Sequence, residues 1–147
     1  MVNFYEEAIT PSCGEALALL SRQPFINEFY LAGGTALALQ IGHRLSTDLD
    51  WFSSSRTLMA SERERILGSI NIGDQLRVLS EQDGMLYTRL LGTDVSFIFQ
   101  QHPLLYGTIT YRGVDLASPI DIGLMKLAAI NSRGSRRNLA RGLSGLK

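Results

Sequence analysis

The sequence predicts an α+β domain in which a small mixed β-sheet is flanked by helices. After an opening helical segment, apolar runs typical of strands and amphipathic helical patterns follow in the order β-α-β-α-β-β-β. A hydrophobic fraction of 45% with 19% charged residues is ordinary for a chain that buries a core. The 147 residues contain no repeat and no Pro-rich linker, so we expect a single domain over residues 1–147.

The first half of the chain is expected to form helix, strand, helix and strand. Ser12 suits the N-cap of the first helix, with Glu15 three residues later in a capping box. Gly42 is expected to end the second helix, which follows a Gly-Gly turn. The predicted boundaries are 12–22 and 35–41 for the helices and 25–31 and 45–52 for the strands.

The second half is expected to add a surface helix, three antiparallel strands and a last helix. The second and third of these strands are expected to form a hairpin near Gly92. Asp121 lies near the positive end of the last helix and is expected to cap it. The Gly-rich tail over residues 138–147 is expected to be irregular. The predicted boundaries are 60–70 for the surface helix and 76–79, 86–91 and 95–99 for the strands.

Asp48 and Asp50 lie two residues apart on the second strand, so they project from the same face of the sheet. Leu49 and Trp51 can then point into the core. Paired carboxylates predict a site for a divalent cation, Mg²⁺ or Mn²⁺. The alternative is a solvated strand end, which is the commoner setting of an isolated Asp-x-Asp.

The turn at Gly33 and Gly34 frees backbone N–H groups at the start of the following helix. Because this end of a helix carries a partial positive charge, it suits a phosphate group. Thr35 can cap the helix or contact the phosphate. A phosphate site beside a carboxylate pair predicts nucleotide chemistry, although ordinary turn chemistry explains a Gly-Gly pair equally well when it stands alone.

These segments resemble a known family. The stretches Leu31-Ala-Gly-Gly-Thr-Ala-Leu37 and His43-Arg44-Leu-Ser46-x-Asp48-Leu-Asp50-x-Phe52 are similar to the AbiEii/AbiGii toxin family of nucleotidyltransferases, within the DNA polymerase β-like superfamily. A later match begins at Asp121 and includes Lys126 and Arg133. The resemblance covers residues 10–137.

The resemblance implies a nucleotidyltransferase fold and a reaction. In the superfamily, two acidic residues on one strand bind Mg²⁺ and a nucleoside triphosphate. Toxins of the family transfer a nucleotide to an acceptor, which in some relatives is the 3′ end of tRNA, and a separate antitoxin restrains them. We therefore expect the toxin of a toxin–antitoxin or abortive-infection system, with a nucleoside triphosphate, tRNA or another RNA, and a cognate antitoxin protein as partners.

The resemblance also suggests a role for each matching residue. Lys126 would grip the triphosphate as a point charge, unless it is a surface lysine whose stem lies on apolar neighbours. Arg44 would contact a phosphate or hold the metal strand through a carboxylate. The expected catalytic residues are Asp48, Asp50 and Lys126; the expected nucleotide-binding residues are Gly33, Gly34, Thr35, Arg44, Ser46 and Arg133; and the expected metal ligands are Asp48, Asp50 and Asp94.

Two departures from the family pattern leave alternatives open. The third acidic position of the superfamily aligns with either Asp94 or Ser96. Beyond Arg133 the family continues with further acidic residues, whereas here Asn138 stands in a basic segment, so a shortened relative is expected. One alternative is thus a binding protein with impaired catalysis, and another is a minimal nucleotidyltransferase that modifies a protein hydroxyl.

Composition restricts the remaining function classes. No apolar run reaches the length of a membrane span, and we expect a cytoplasmic protein. Cys13 is the single cysteine, so no internal disulfide can form, and no ligand cluster for zinc is present. From residue 122 onward there are six Lys or Arg and no acidic residue, which fits either RNA contact or a solvated helix. Apolar residues on the last helix predict a homo-oligomer.

Overall fold

A seven-stranded mixed β-sheet forms the centre of the protein, in the spatial order β3-β4-β5-β2-β1-β7-β6. The structure is a computed structural model that describes the backbone of residues 3–143 and the side chains of residues 3–131. β1 pairs in parallel with β7, β2 pairs in parallel with β5, and the other neighbours are antiparallel. The strands are β1 (Tyr30–Ala32), β2 (Leu49–Ser53), β3 (Leu76–Gln82), β4 (Met85–Leu90), β5 (Thr93–Phe99), β6 (Thr108–Tyr111) and β7 (Val114–Ala117).

Four α-helices accompany the sheet, which confirms the predicted α+β class with its mixed sheet. α2 contacts β1, β2 and α4, and α1 contacts β5. No described helix has the length and apolar content needed to cross a membrane. The helices are α1 (Pro11–Ser21), α2 (Gly33–Ile41), α3 (Ala60–Ile70) and α4 (Pro119–Leu143).

The core follows from side-chain alternation along the central strands. On β2, Leu49 and Trp51 are fully buried, while Asp50 and Phe52 on the other face remain partly exposed. The ring of Phe97 on β5 contacts the rings of Phe25 and Phe29 in edge-to-face geometry, with centroids 5.9 and 5.6 Å apart. One face of β2 is therefore fixed by the core, and the other is left for a site.

Most predicted elements are present, with shifted ends. α1 begins at Pro11, one residue early, because the Thr10 hydroxyl oxygen accepts a hydrogen bond from the Cys13 N–H at 3.3 Å and proline suits the first helical position. The predicted Ser12 cap is therefore wrong. α2 begins at Gly33 rather than Thr35, and Gly42 ends it with φ of 64°, as predicted.

The predicted hairpin of β4 and β5 is confirmed, while a second hairpin was missed. Leu91 and Gly92 both have positive φ, at 53° and 81°, as a two-residue hairpin turn requires. Arg112 and Gly113 repeat this geometry between β6 and β7, with φ of 48° and 85°. The Arg-Gly pair between short alternating segments was the sequence signal for these two strands.

α4 differs from its prediction at both ends. Ser118, rather than Asp121, accepts a hydrogen bond from the first turn, at 3.1 Å from the Asp121 nitrogen. The buried Asp121 carboxylate instead accepts hydrogen bonds from the N–H groups of Leu105 and Tyr106, at 3.0 and 2.8 Å, and so fixes the preceding loop. The helix runs to Leu143, through part of the tail expected to be irregular, and residues 144–147 lie outside the described residues.

Candidate nucleotide-binding site

The start of α2 has the features of an anion site. α2 follows directly after β1, its N-cap residue is Ala32, and no side chain caps it. Gly33 adopts φ of 70°, a conformation that glycine tolerates and other residues rarely adopt. The N–H groups at this helix end are thus left to a ligand or to water, and the partial positive charge of the helix favours a phosphate.

Asp50 lies against this helix start. Ala32 on β1 pairs with Asp50 on β2, so the strand register brings the carboxylate to the turn. A Cβ atom added to Gly33 would stand 2.6 Å from the Asp50 Oδ2, closer than two such atoms can approach. Only glycine fits at position 33, and the two motifs of the sequence meet at this point.

Asp48 and Asp50 line the same cleft, as the strand parity predicted. The cleft has a volume of about 280 Å³. Burial raises the pKa of the Asp50 carboxyl, and the negative charge of Asp48 raises it further, while a hydrogen bond from Ser96 opposes both. Asp48 itself lies just before β2, which begins at Leu49 rather than at residue 45, and it is exposed. A cation bound here would offset the unfavourable charge on Asp50.

Asp94 and Ser96 are the two candidates for the third acidic position of the superfamily. In the parallel register of β2 and β5, Asp50 lies opposite Ser96. Asp94 lines the same cleft, but its carboxylate accepts a hydrogen bond from Arg89 Nε at 2.8 Å in an ion pair. No group of three His, Cys, Asp or Glu side chains within the described residues could hold a metal ion. The structure therefore gives Asp94 a different partner from the metal ion expected from the sequence.

Thr35 and Ser46 are buried, which differs from their expected role as phosphate ligands. Their hydroxyl oxygens lie 2.6 Å apart, and the Thr35 hydroxyl also donates to the carbonyl oxygen of Asp48. The backbone N–H of Ser46 donates to the Ala8 carbonyl at 2.7 Å. These contacts hold the segment before β2 against α2, so both residues position Asp48 rather than face the cleft.

Arg44 lies at the other side of the helix start. A Cβ added to Gly34 would meet the Arg44 guanidinium, and Arg44 Nε donates to His43 Nε2 at 3.2 Å. Within the described residues, Arg44 has no carboxylate within 4.0 Å. Of the two roles predicted for Arg44, its position favours the contact with a phosphate.

Lys126 is not brought to this cleft. Its side chain is exposed on α4, has no ion pair among residues 3–131, and is absent from the cleft lining. The side chain of Arg133 lies outside the described residues. The lone cysteine, Cys13, is buried, and burial raises the pKa of its thiol to about 11, which keeps the thiol protonated at neutral pH.

Sequence reasoning missed the part of the cleft formed by β3, β4 and β5. Arg89 pairs with Asp94, and Leu79, Tyr87 and Ile98 line the cleft beyond the carboxylates. The alternation of Tyr87, Arg89 and Leu90 on a predicted strand placed the first two on one face. Nothing in the local sequence indicated which other strand that face would meet.

The helix start and the carboxylate pair both lie within the part of the chain that matches a known family. Residues 15–84, which include Gly33, Gly34, Asp48 and Asp50, match the model of the nucleotidyl transferase AbiEii toxin of type IV toxin–antitoxin systems. The predicted resemblance to the AbiEii family is confirmed. The matched region includes Gly33 and Asp50, which carried the resemblance and which lie against each other in the structure.

Relatives and solved structures extend the likeness beyond this region. An uncharacterized protein of Aquifex aeolicus (strain VF5) is 34% identical over 133 residues, covering 84% of this chain and 60% of the relative. A candidate nucleotidyltransferase from H. pylori shares the fold with a TM-score of 0.50 at 17% identity, over 80% of this chain and 56% of that chain. JHP933 from Helicobacter pylori does so with a TM-score of 0.50 at 16% identity, over 82% and 56%.

The likeness to the solved structures confirms the predicted nucleotidyltransferase fold, while the relatives are longer than this chain. At 16% and 17% identity, the two structures establish the fold alone. The chain spans 60% of the length of the Aquifex aeolicus protein and 56% of each Helicobacter pylori chain.

Proposed function

We propose that the chain binds a nucleoside triphosphate together with Mg²⁺ or Mn²⁺ and transfers the nucleotide to an RNA hydroxyl, as the toxin of a toxin–antitoxin pair. The observation that carries this proposal is the contact of Asp50 with Gly33. It places an acidic pair beside a helix start that no side chain caps. A metal ion bound to the carboxylates and a phosphate bound to the helix start would then be adjacent.

The oxygen donors in the cleft fit a hard divalent cation. Asp48 and Asp50 supply carboxylate oxygens, and no third acidic, His or Cys ligand joins them within the described residues. Mg²⁺ is commonly held by one or two carboxylates with phosphate oxygens completing its shell. When bound, the cation would neutralise charge on the reacting phosphates.

The nucleotide has a defined orientation in this proposal. The N–H groups at Gly33 and Gly34 would hold the terminal phosphates, and the α-phosphate would lie at Asp48 and Asp50. Arg44 contacts the helix start, whereas Lys126 has no described contact with it, so we assign neutralisation of the leaving pyrophosphate to Arg44. The acceptor oxygen would bond to the α-phosphorus as the bond to pyrophosphate breaks, and the hydroxyl proton would pass to solvent water.

Two experiments test the proposal. Calorimetry should show that ATP, GTP, CTP or UTP binds with Mg²⁺ and that EDTA abolishes the binding. The Asp48→Asn variant should also lose this metal-dependent binding. Asp74→Asn, a substitution at an exposed aspartate, is the matched control and should retain it.

Transfer is tested by incubating the chain with Mg²⁺, α-³²P-labelled nucleoside triphosphates and either total tRNA or a protein extract. Label in RNA would support the proposed acceptor, and label in protein would show that the acceptor is a protein hydroxyl instead.

A second function, nucleotide binding without transfer, is favoured by one observation. Ser96 rather than a carboxylate lies opposite Asp50, and Asp94 is paired with Arg89. Either arrangement would reduce activation of an acceptor hydroxyl. Metal-dependent triphosphate binding without label transfer to any acceptor would support this function. In both cases the partner expected to restrain the chain is a cognate antitoxin protein.

A further inference from the structure

The cleft has an apolar half that the proposed nucleotide does not use. Leu79, Tyr87 and Ile98, here called the Tyr87 platform, line the cleft beside the carboxylates. None of the three belongs to the hydrophobic core or to the side chains packed against it. Leu79 is 47% exposed, and the Tyr87 ring has no aromatic partner in the described part of the chain. The Tyr87 platform is therefore available to a flat apolar ligand.

Strand register places the platform in line with the reacting centre. Ala32, Asp50, Ser96 and Tyr87 are opposite one another on the adjacent strands β1, β2, β5 and β4. Neighbouring strands are spaced by roughly 4.8 Å, so the Tyr87 backbone lies about 10 Å from that of Asp50. Along this row the helix start is at one end, the carboxylates are in the middle and the Tyr87 platform is at the other end.

This order determines which ligand the platform can hold, and the inference here rests on the proposed function. In nucleotidyl transfer the attacking and leaving oxygens lie roughly in line at the phosphorus. With pyrophosphate at Gly33 and the α-phosphate at Asp50, the acceptor would therefore approach from the opposite side, where Ser96 and Tyr87 lie. A single acceptor nucleotide would bring its hydroxyl to the carboxylates and its base to Tyr87.

Two arginines in the next row support a nucleic-acid acceptor. Arg77 on β3 lies directly opposite Arg89 on β4, and Arg89 lies two residues from Tyr87 on the same face. Like charges directly opposite each other disfavour a strand pair. Asp94 forms an ion pair with Arg89, whereas Arg77 has no carboxylate within 4.0 Å among the described residues, although Glu15 and Asp74 line the pocket that contains both arginines. A phosphodiester next to the acceptor base would pair with Arg77.

We propose that the Tyr87 platform binds the 3′-terminal base of a single-stranded RNA acceptor by stacking on the Tyr87 ring. Bases of single-stranded RNA commonly stack on aromatic side chains in this way. The platform offers a ring and two aliphatic side chains rather than a set of polar groups, so it would hold any base without strong sequence preference. Tyr87 would thus position the acceptor while the carboxylate pair serves the donor nucleotide.

The test uses an RNA hexamer with 2-aminopurine at its 3′ end, whose fluorescence falls when the base stacks. Wild type and Tyr87→Phe should quench the probe, because both have a ring at position 87. Tyr87→Leu, which retains apolar volume, and Tyr87→Ala should not quench it, and both should bind the hexamer at least about fivefold more weakly. Tyr106→Ala is the matched control, because this exposed tyrosine lies outside the cleft.

Calorimetry with Mg²⁺ and ATP on the same variants separates this inference from the proposed function. Unchanged ATP binding by Tyr87→Leu, together with loss of quenching, supports the acceptor platform. Weaker ATP binding by Tyr87→Leu with RNA binding unchanged would assign the platform to the donor base and overturn the inference. Equal quenching by wild type and Tyr87→Leu, or by none of the proteins, would overturn it as well. Absence of ATP binding by wild type would instead contradict the proposed function.

Discussion

At the scale of single residues, the environment of the Asp50 carboxylate disfavours its ionised form. Burial and the charge of Asp48 raise the pKa of Asp50 above its ordinary value of 3.8. Between these two pKa values the folded state binds more protons than the unfolded state, so the stability contribution of Asp50 falls as pH rises through this window. Above this window the environment of the Asp50 carboxylate destabilises the unliganded fold, and a bound cation would offset this effect.

Asp50→Asn is predicted to raise the melting temperature of the metal-free protein at pH 7.5 while abolishing metal-dependent triphosphate binding. A gain of roughly 2–4 °C corresponds to about 1 kcal/mol in a chain of this size. The difference from wild type should shrink as pH falls toward the ordinary value of 3.8, because the raised pKa of wild-type Asp50 lets the folded state bind a proton before the unfolded state does. Thermal scans across pH measure both effects, and a lower melting temperature for the variant at pH 7.5 would mark Asp50 as a structural residue.

Gly33→Ala is predicted to destabilise the fold and to disturb the position of Asp50. The left-handed backbone alone costs an Ala residue about 1–2 kcal/mol, and the added Cβ would collide with the Asp50 carboxylate. Urea denaturation measures the loss, and metal-dependent ATP binding should fall with it.

Gly68→Ala is the matched control for this substitution. Gly68 lies within α3, and a Cβ added there would meet nothing within 4 Å. This variant should be stabilised by roughly 0.5–1 kcal/mol because Ala favours a helix interior. Equal effects of the two substitutions would contradict the close approach of Gly33 and Asp50.

At the scale of elements, Arg63 ties α3 to the hairpin of β3 and β4, which carries Leu79 and Tyr87 of the Tyr87 platform. Its guanidinium donates to Glu81 at 2.8 Å, to Asp83 at 3.0 Å and to the Leu58 carbonyl at 2.8 Å. Arg63 is buried, although it lies in an alternating run of charged residues that suggested a solvated surface. The contact fixes one end of β3 and β4, and with it the edge of the cleft.

Arg63→Met is predicted to lower the free energy of unfolding by about 2 kcal/mol, since the hydrogen bonds of a buried guanidinium to Glu81, to Asp83 and to the Leu58 carbonyl are lost. The neighbouring Arg65 is exposed, so Arg65→Met should change the free energy of unfolding by at most about 0.5 kcal/mol. Urea denaturation of both variants provides the comparison. Similar losses would show that Arg63 is no more than a surface charge.

At the scale of the whole molecule, α4 carries an apolar stripe on its described part. Ile120, Leu124, Leu127 and Ile130 recur every three or four residues and are 57%, 42%, 57% and 50% exposed. Contiguous apolar surface of this kind is commonly buried by association.

We predict that the 147-residue chain forms dimers or higher oligomers through this stripe. Light scattering over a range of concentrations should show association for wild type, and Leu127→Glu should shift it to monomer. Leu105→Glu, at a side chain 74% exposed and outside α4, is the control and should leave the association unchanged. A wild-type monomer at high concentration would contradict the prediction.

Local sequence determined those features that depend on neighbouring residues only. The parity of Asp48 and Asp50, the left-handed Gly42 and the turn at Gly92 each follow from the conformational preferences of a few consecutive residues. The tertiary structure decided the rest, because strand order sets contacts that no local pattern contains. It turned Thr35 and Ser46 inward against each other, paired Asp94 with Arg89, and brought β4 into the row that joins Asp50 to Tyr87.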